Sequence, residues 1–228
     1  MPLFFDLDDT LVDNSGPTRQ AALAVYSAFN SIIDSDPEQF VQRWNYLHSE
    51  RFNRYLRKEL TFEEMRLDRV RYVFGPQIAQ STIKEASSLF AEVYSNSWKS
   101  FSDVRPCLER LAGEKRGIIT NGMQQQQLEK LTATGIIDYF TVIVCSSEYD
   151  FFKPDKRIFQ AACAKMGCRL EDSLYIGDNL EIDALASAKA GMRGIWLNRT
   201  GQEKTEDVEM IKSLDELTYS TALKSMDS

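Results

Sequence analysis

The sequence predicts an α/β protein, a parallel sheet covered by helices on both faces and interrupted early by a block that is helical throughout. Three observations predict it. Short apolar runs bounded by turn residues stand at 2–5, 117–120, 141–147, 173–178 and 194–198, and the last four alternate with helix-length segments. That rhythm belongs to buried parallel strands joined by right-handed crossovers. Residues 15–97, in contrast, hold no convincing strand. Finally, 228 residues at 43% hydrophobic and 27% charged suffice for a core with a smaller inserted domain. The expected organisation is a core of residues 1–14 and 98–228, with a helical domain over 15–97.

The elements follow in order. After the strand at 2–5, "DNSGP" supplies turn and cap residues, with Pro17 placed for a helix start. Helices are predicted over 18–33 and 38–58. A third begins at "TFEE", where Thr61 and Glu64 form a capping-box pattern, and "FGP" at 74–76 breaks it. A fourth runs on towards Tyr94. Beyond the insert, Pro106 opens a helix that ends near Gly113, and residues 123–134 form another with Gly135 at its end. Residues 155–166 are stopped by Gly167 and 180–190 by Gly191, each glycine after the last helical turn. The run Gln124–Gln127 reads as a solvated first turn. No internal repeat is found.

A net charge of −7 argues against a nucleic-acid polymer or an anionic membrane as partner. Asp6 interrupts the first apolar run, so there is no signal-peptide pattern, and no stretch reaches the length of a membrane span. Cys107, Cys145, Cys163 and Cys168 make no C-x-x-C pair, which suits free thiols in a reducing cytoplasm. A cytoplasmic location is expected.

Open parallel sheets bind ligands at the carboxyl ends of their strands. The residues there are "DLDDT" after the first run, "TNG" after the second, "SSEYDFFKPD" after the third and "GDNLEID" after the fourth. Acids crowded at a strand end repel one another, so something cationic belongs beside Asp6 and Asp8.

The four stretches, in this order, resemble the motifs of the haloacid dehalogenase-like hydrolase superfamily, in the subgroup with a helical cap inserted between the first and second. Asp6-Leu7-Asp8-Asp9-Thr10 matches D-x-D-x-T. Thr120-Asn121-Gly122, Lys153 before Pro154, and Gly177-Asp178 with Asp183 match the other three. One departure is Ile182, which stands before Asp183 where Asn or Asp is frequent. The resemblance implies a Rossmann-like core, a cap domain and Mg²⁺ as cofactor. It makes Asp6 the nucleophile and a metal ligand, and Asp8 the acid–base residue, with its backbone carbonyl on the metal. Asp178 would bind the metal directly and Asp183 mainly through water. Thr120, the amides of Asn121 and Gly122, and Lys153 would hold the phosphoryl oxygens. Three hard carboxylates suit Mg²⁺, and two carboxylates with separate roles need separate environments.

Asp9 and Asp13 lie outside the motif and read as solvent-facing or capping. In the insert, Arg43, Arg51, Arg54 and Arg57 read as a solvated face, with a second anionic group of the substrate as the alternative. His48 reads as a surface or packing residue. The expected activity is a Mg²⁺-dependent phosphatase acting on a small phosphorylated metabolite, a nucleoside monophosphate or a sugar phosphate. A phosphosugar mutase would keep every motif. A 2-haloacid dehalogenase would need neither metal nor an acid at Asp8. A phospho-accepting signalling module would lack the long insert.

Overall fold

The computed structural model describes residues 1–203 and 208–218. The chain divides into two compact units, Met1–Asp13 with Lys99–Ser228, and Asn14–Trp98. Among the described residues, eight strands belong to the first: β1 (Leu3–Phe5), β2 (Val12–Asp13), β3 (Lys99–Ser100), β4 (Arg116–Thr120), β5 (Val142–Cys145), β6 (Leu174–Gly177), β7 (Arg193–Leu197) and β8 (Glu209–Ile211). Six form one sheet in the order β5-β4-β1-β6-β7-β8, every pairing parallel. β1 lies at its centre, with Phe5 beside Ile118 on one side and Ile176 on the other. Strand order reverses at β1, so the carboxyl ends of β1, β4 and β6 flank the place where such sheets bind ligands. β2 and β3 form a small antiparallel pair. Neither this pair nor β8 was expected from sequence. They span two or three residues each, too few to display a period.

Helices α1 (Ser15–Phe29), α2 (Pro37–Leu56), α3 (Phe62–Phe74) and α4 (Gln80–Asn96) make up the second unit. α1 starts three residues before its predicted place, with Pro17 inside its first turn, and gives way to a single 3₁₀ turn at Asn30–Ile32. Asp36 caps α2 by accepting from the amides of Glu38 and Gln39. The Thr61–Glu64 capping box is formed at α3, and Gly75 ends that helix at φ 97°, a conformation few other residues adopt. Phe40, Trp44 and Leu47 on α2 pack with Ile83, Ala86 and Phe90 on α4, and the Trp44 ring stacks on Phe90 at 4.8 Å. Among the described residues, no helix is long and apolar enough to cross a membrane.

The sheet unit carries α5 (Val104–Arg110), α6 (Gln124–Ala133), α7 (Lys156–Met166) and α8 (Ala186–Ala190). Gly167 closes α7 in the left-handed region at φ 69°. The single helix expected over 180–190 is two pieces, because Leu180–Leu185 winds as a π-helical turn before α8. The carbonyl of Asn179 accepts from Asp183 at 3.1 Å and from Ala184 at 3.3 Å. That extra residue in the turn swings Asp183 inward, where it is 1% exposed.

This turn presses directly on β7. A Cβ built on Gly194 would lie 2.2 Å from the carbonyl oxygen of Ala184 and 2.8 Å from Ser187 Oγ. Gly194→Ala is therefore expected to lower unfolding free energy by about 1–3 kcal/mol through overpacking, measured by denaturant titration. An unchanged midpoint would show that the turn gives way freely.

Candidate active site

The first strand delivers its acids at the switch point. The Asp6 amide donates to the Ile176 carbonyl at 2.9 Å, extending the β1–β6 ladder by one residue and leaving the Asp6 side chain at the strand end. The chain then doubles back, with the amides of Leu11 and Val12 donating to Leu7 O and Asp9 in the left-handed region at φ 58°. Aspartate tolerates that conformation better than most residues. Fully buried Thr10 closes the turn onto β6, donating to Asp178 Oδ1 at 3.2 Å and accepting from the Asp178 amide at 2.9 Å.

One carboxylate oxygen each from Asp6, Asp178 and Asp183 lies within 4.8 Å of the others. Burial pushes the Asp6 carboxyl well above its usual range, with Asp183 and Asp178 adding to the shift and Lys153 opposing it. Burial, then Asp183 and Asp9, push Asp178 up to about 7. The cluster is therefore short of positive charge. Hard oxygen donors with a deficit of cation are what a divalent metal fits, and these residues fit Mg²⁺.

Lys153 supplies part of the missing charge. Its ammonium is 2% exposed and donates to Asp6 Oδ1 at 2.5 Å, Asp183 Oδ1 at 2.6 Å and the Tyr175 hydroxyl at 2.9 Å. Burial opposes the charge on Lys153, but Asp183 and Asp6 outweigh it and the pKa is raised. Two groups fix the lysine. Asn121 clamps its backbone from both sides, accepting from Lys153 N at 2.8 Å and donating to Lys153 O at 2.9 Å. Tyr175, buried on β6, lies within hydrogen-bond distance of Lys153, Asp183 and the Ile119 carbonyl. The side chain of Asn121 is thus spent on Lys153. Tyr175 escaped the sequence reading because it sits inside an apolar strand.

Asp8 has a different environment. Lys130 on α6 forms an ion pair with its Oδ1, and Gln127 Nε2 donates to its Oδ2 at 2.9 Å. The same amide nitrogen donates to Thr120 Oγ1 at 2.8 Å. Gln124 and Gln125 are exposed as expected of a solvated turn, but Gln127 is 1% exposed, which corrects the expectation at that residue. Its side chain needs the space at Gly122, where a Cβ would lie 2.3 Å from Nε2. Gln127 and Lys130 were missed because a polar residue in a glutamine run carries no burial signal. Their spacing of three, which places them on one helix face, was the available clue.

Several outlying expectations are also resolved. Asp13 pairs with Lys99 at 3.5 Å and its side chain is only 17% exposed. In the helical unit, Arg51 is buried against the Tyr72 ring, its guanidinium carbon 4.0 Å from the centroid, so it does not belong to a solvated face. Arg54 and Arg57 reach Glu59, and Arg43 donates to the Tyr72 carbonyl. His48 stacks on Phe52 and meets Arg69 at 2.9 Å, a packing role.

The family model for haloacid dehalogenase-like hydrolases matches residues 3–197. The glyceraldehyde 3-phosphate phosphatase of Methanothermobacter thermautotrophicus is 32% identical over 216 residues, covering 90% of this chain and 88% of that one. The N-acylneuraminate-9-phosphatase of Rattus norvegicus is 30% identical, covering 87% and 83%. The HAD-hydrolase YfnB of Bacillus subtilis, solved bound to magnesium, superposes with a TM-score of 0.75 at 20% identity, over 95% of this chain and 96% of that one. At that identity the likeness speaks for the fold. From β1 to the end of β7, this chain belongs to the haloacid dehalogenase-like hydrolases.

Proposed function

We propose that this protein is a Mg²⁺-dependent phosphatase that hydrolyses a small phosphomonoester through an aspartyl-phosphate on Asp6. One observation carries the reading: the carboxylates of Asp6, Asp178 and Asp183 converge at the sheet's switch point. In this reading the sheet unit is the catalytic core and residues 15–97 the cap domain.

Asp6, Asp178 and Asp183, with the backbone carbonyl of Asp8, would hold the metal. Bound there, Mg²⁺ would neutralise charge on the ester and orient it. An oxygen of Asp6 attacks phosphorus, forming the new P–O bond as the bond to the leaving oxygen breaks. Asp8 gives its proton to that leaving oxygen. It then takes a proton from a water that attacks the phospho-aspartate, releasing phosphate and restoring Asp6. Lys153 and the Thr120 hydroxyl donate to the phosphoryl oxygens, with the Asn121 and Gly122 amides beside them.

The two phosphatase relatives are named for small phosphorylated metabolites. That supports the sugar-phosphate side of a class that also includes nucleoside monophosphates. The acid at Asp8 and the acidic cluster count against a 2-haloacid dehalogenase. A phosphosugar mutase would keep all these residues, and product analysis separates the two. The test is phosphate release from a panel of phosphorylated metabolites. Chelator should abolish it and Mg²⁺ restore it, whereas full activity in excess chelator would remove the metal from the mechanism.

A further inference from the structure

We infer that Lys130 and Gln127 form a positioning pair that holds the Asp8 carboxyl group in its working orientation and ties it to Thr120. The inference rests on the phosphatase reading and adds two residues that act through Asp8 and Thr120.

Lys130 is the only lysine besides Lys153 among the described buried side chains, and its own side chain is 1% exposed. Burying an ammonium is expensive unless it is paired, and Asp8 is a carboxylate to which Lys130 is tied. Gln127 is equally buried and uses its Nε2 twice, on Asp8 Oδ2 and on Thr120 Oγ1, while its Oε1 has no partner.

Each oxygen of Asp8 therefore receives a donor from α6, Oδ1 from Lys130 and Oδ2 from Gln127. Two anchors on one helix fix both torsions of a short side chain. Each carboxylate oxygen keeps a further lone pair, and the Asp8 side chain is 31% exposed, so the anchored group still faces outward. The second hydrogen of the same amide gives Thr120 its direction. With Oγ1 accepting from Gln127, the hydroxyl proton is left to point elsewhere, as a phosphoryl donor requires. Gly122 belongs to the device, since any larger residue would displace the amide.

A double-mutant cycle with Asp8 tests this. Substrates are an alkyl phosphate, whose leaving group needs a proton, and 4-nitrophenyl phosphate, whose leaving group needs little. Lys130→Met should lower kcat on the alkyl phosphate by about 10–100-fold, part of the roughly 10²–10⁴-fold that acid–base catalysis contributes. On the aryl phosphate the loss should be several-fold smaller. In an Asp8→Asn background the same substitution should change kcat on either substrate by less than about threefold, because residues that act as a unit are not additive. A general packing defect would instead act equally on both substrates and in both backgrounds, and that result would overturn the inference.

Gln127→Met carries the same test independently if Lys130→Met does not fold. Its kcat effect should vanish beside Asp8→Asn. A rise in KM should persist there, since the hold on Thr120 is lost in either background. An unchanged kcat ratio would again overturn the proposal. Wild-type protein that releases no phosphate with Mg²⁺ would overturn the phosphatase reading and this inference with it. Wild-type activity with additive losses overturns the inference alone.

Discussion

Asp6→Asn is expected to abolish turnover and to leave no phosphorylated protein after rapid quenching. An amide oxygen is a poor nucleophile, and the substitution also removes one of three converging carboxylates and a partner of Lys153. Mg²⁺ affinity should fall with it. Asp8→Asn should behave differently, because it keeps the backbone carbonyl assigned to the metal. It should bind Mg²⁺ and lose about 10²–10⁴-fold in rate, most with poor leaving groups. A phospho-protein formed from a good leaving group should persist, since its hydrolysis lacks a base. An acid-stable, hydroxylamine-labile adduct on Asp6→Asn but not on Asp8→Asn would reverse the two roles.

The second large effect is expected at Lys153. Lys153→Met removes an ammonium set between Asp6 and Asp183, both of them buried. Removing one partner of a buried pair strands the other, which costs about 3–5 kcal/mol, read as a lower denaturant midpoint for metal-free protein. Activity should fall by at least about 10²–10³-fold through the lost phosphoryl donor. The cluster left behind is more negative, so Mg²⁺ should raise the melting temperature of Lys153→Met by more than that of wild type. Equal shifts would mean that Lys153 and the cation do not share the cluster.

Much of the candidate site was legible because its side chains stand at strand ends. Each long apolar strand announced its own boundary, so Asp6, Thr120 and Asp178 were placed by adjacency alone. Asp183 was legible as a motif position, but its inward swing depends on a π turn that no helical period foretells. The supporting residues Gln127, Lys130 and Tyr175 act across the fold, and their local sequence says nothing of their partners. Arg51 is an instructive miss. It continues the stripe Phe40, Trp44, Leu47, whose helical spacing marks a buried face. Its charge masked the pattern. Its long apolar stem, with the guanidinium on the Tyr72 ring, explains why that position accepts it.

The central position of β1 also governs how the molecule is made. Leu3 pairs with Arg116 on one side and Leu174 on the other, so β1, made before either neighbour, waits for both. At roughly 5–20 residues per second, that wait is on the order of ten seconds or more on the ribosome. Meanwhile residues 14–98 are complete and, rich in local helical contacts, can settle early. The apolar Leu3-Phe4-Phe5 run has no strand partner until β4 is made, and only one until β6 follows. The strand that carries Asp6 is made before both of its neighbours, and the Asp6–Asp178–Asp183 cluster is assembled only after β6 has left the exit tunnel.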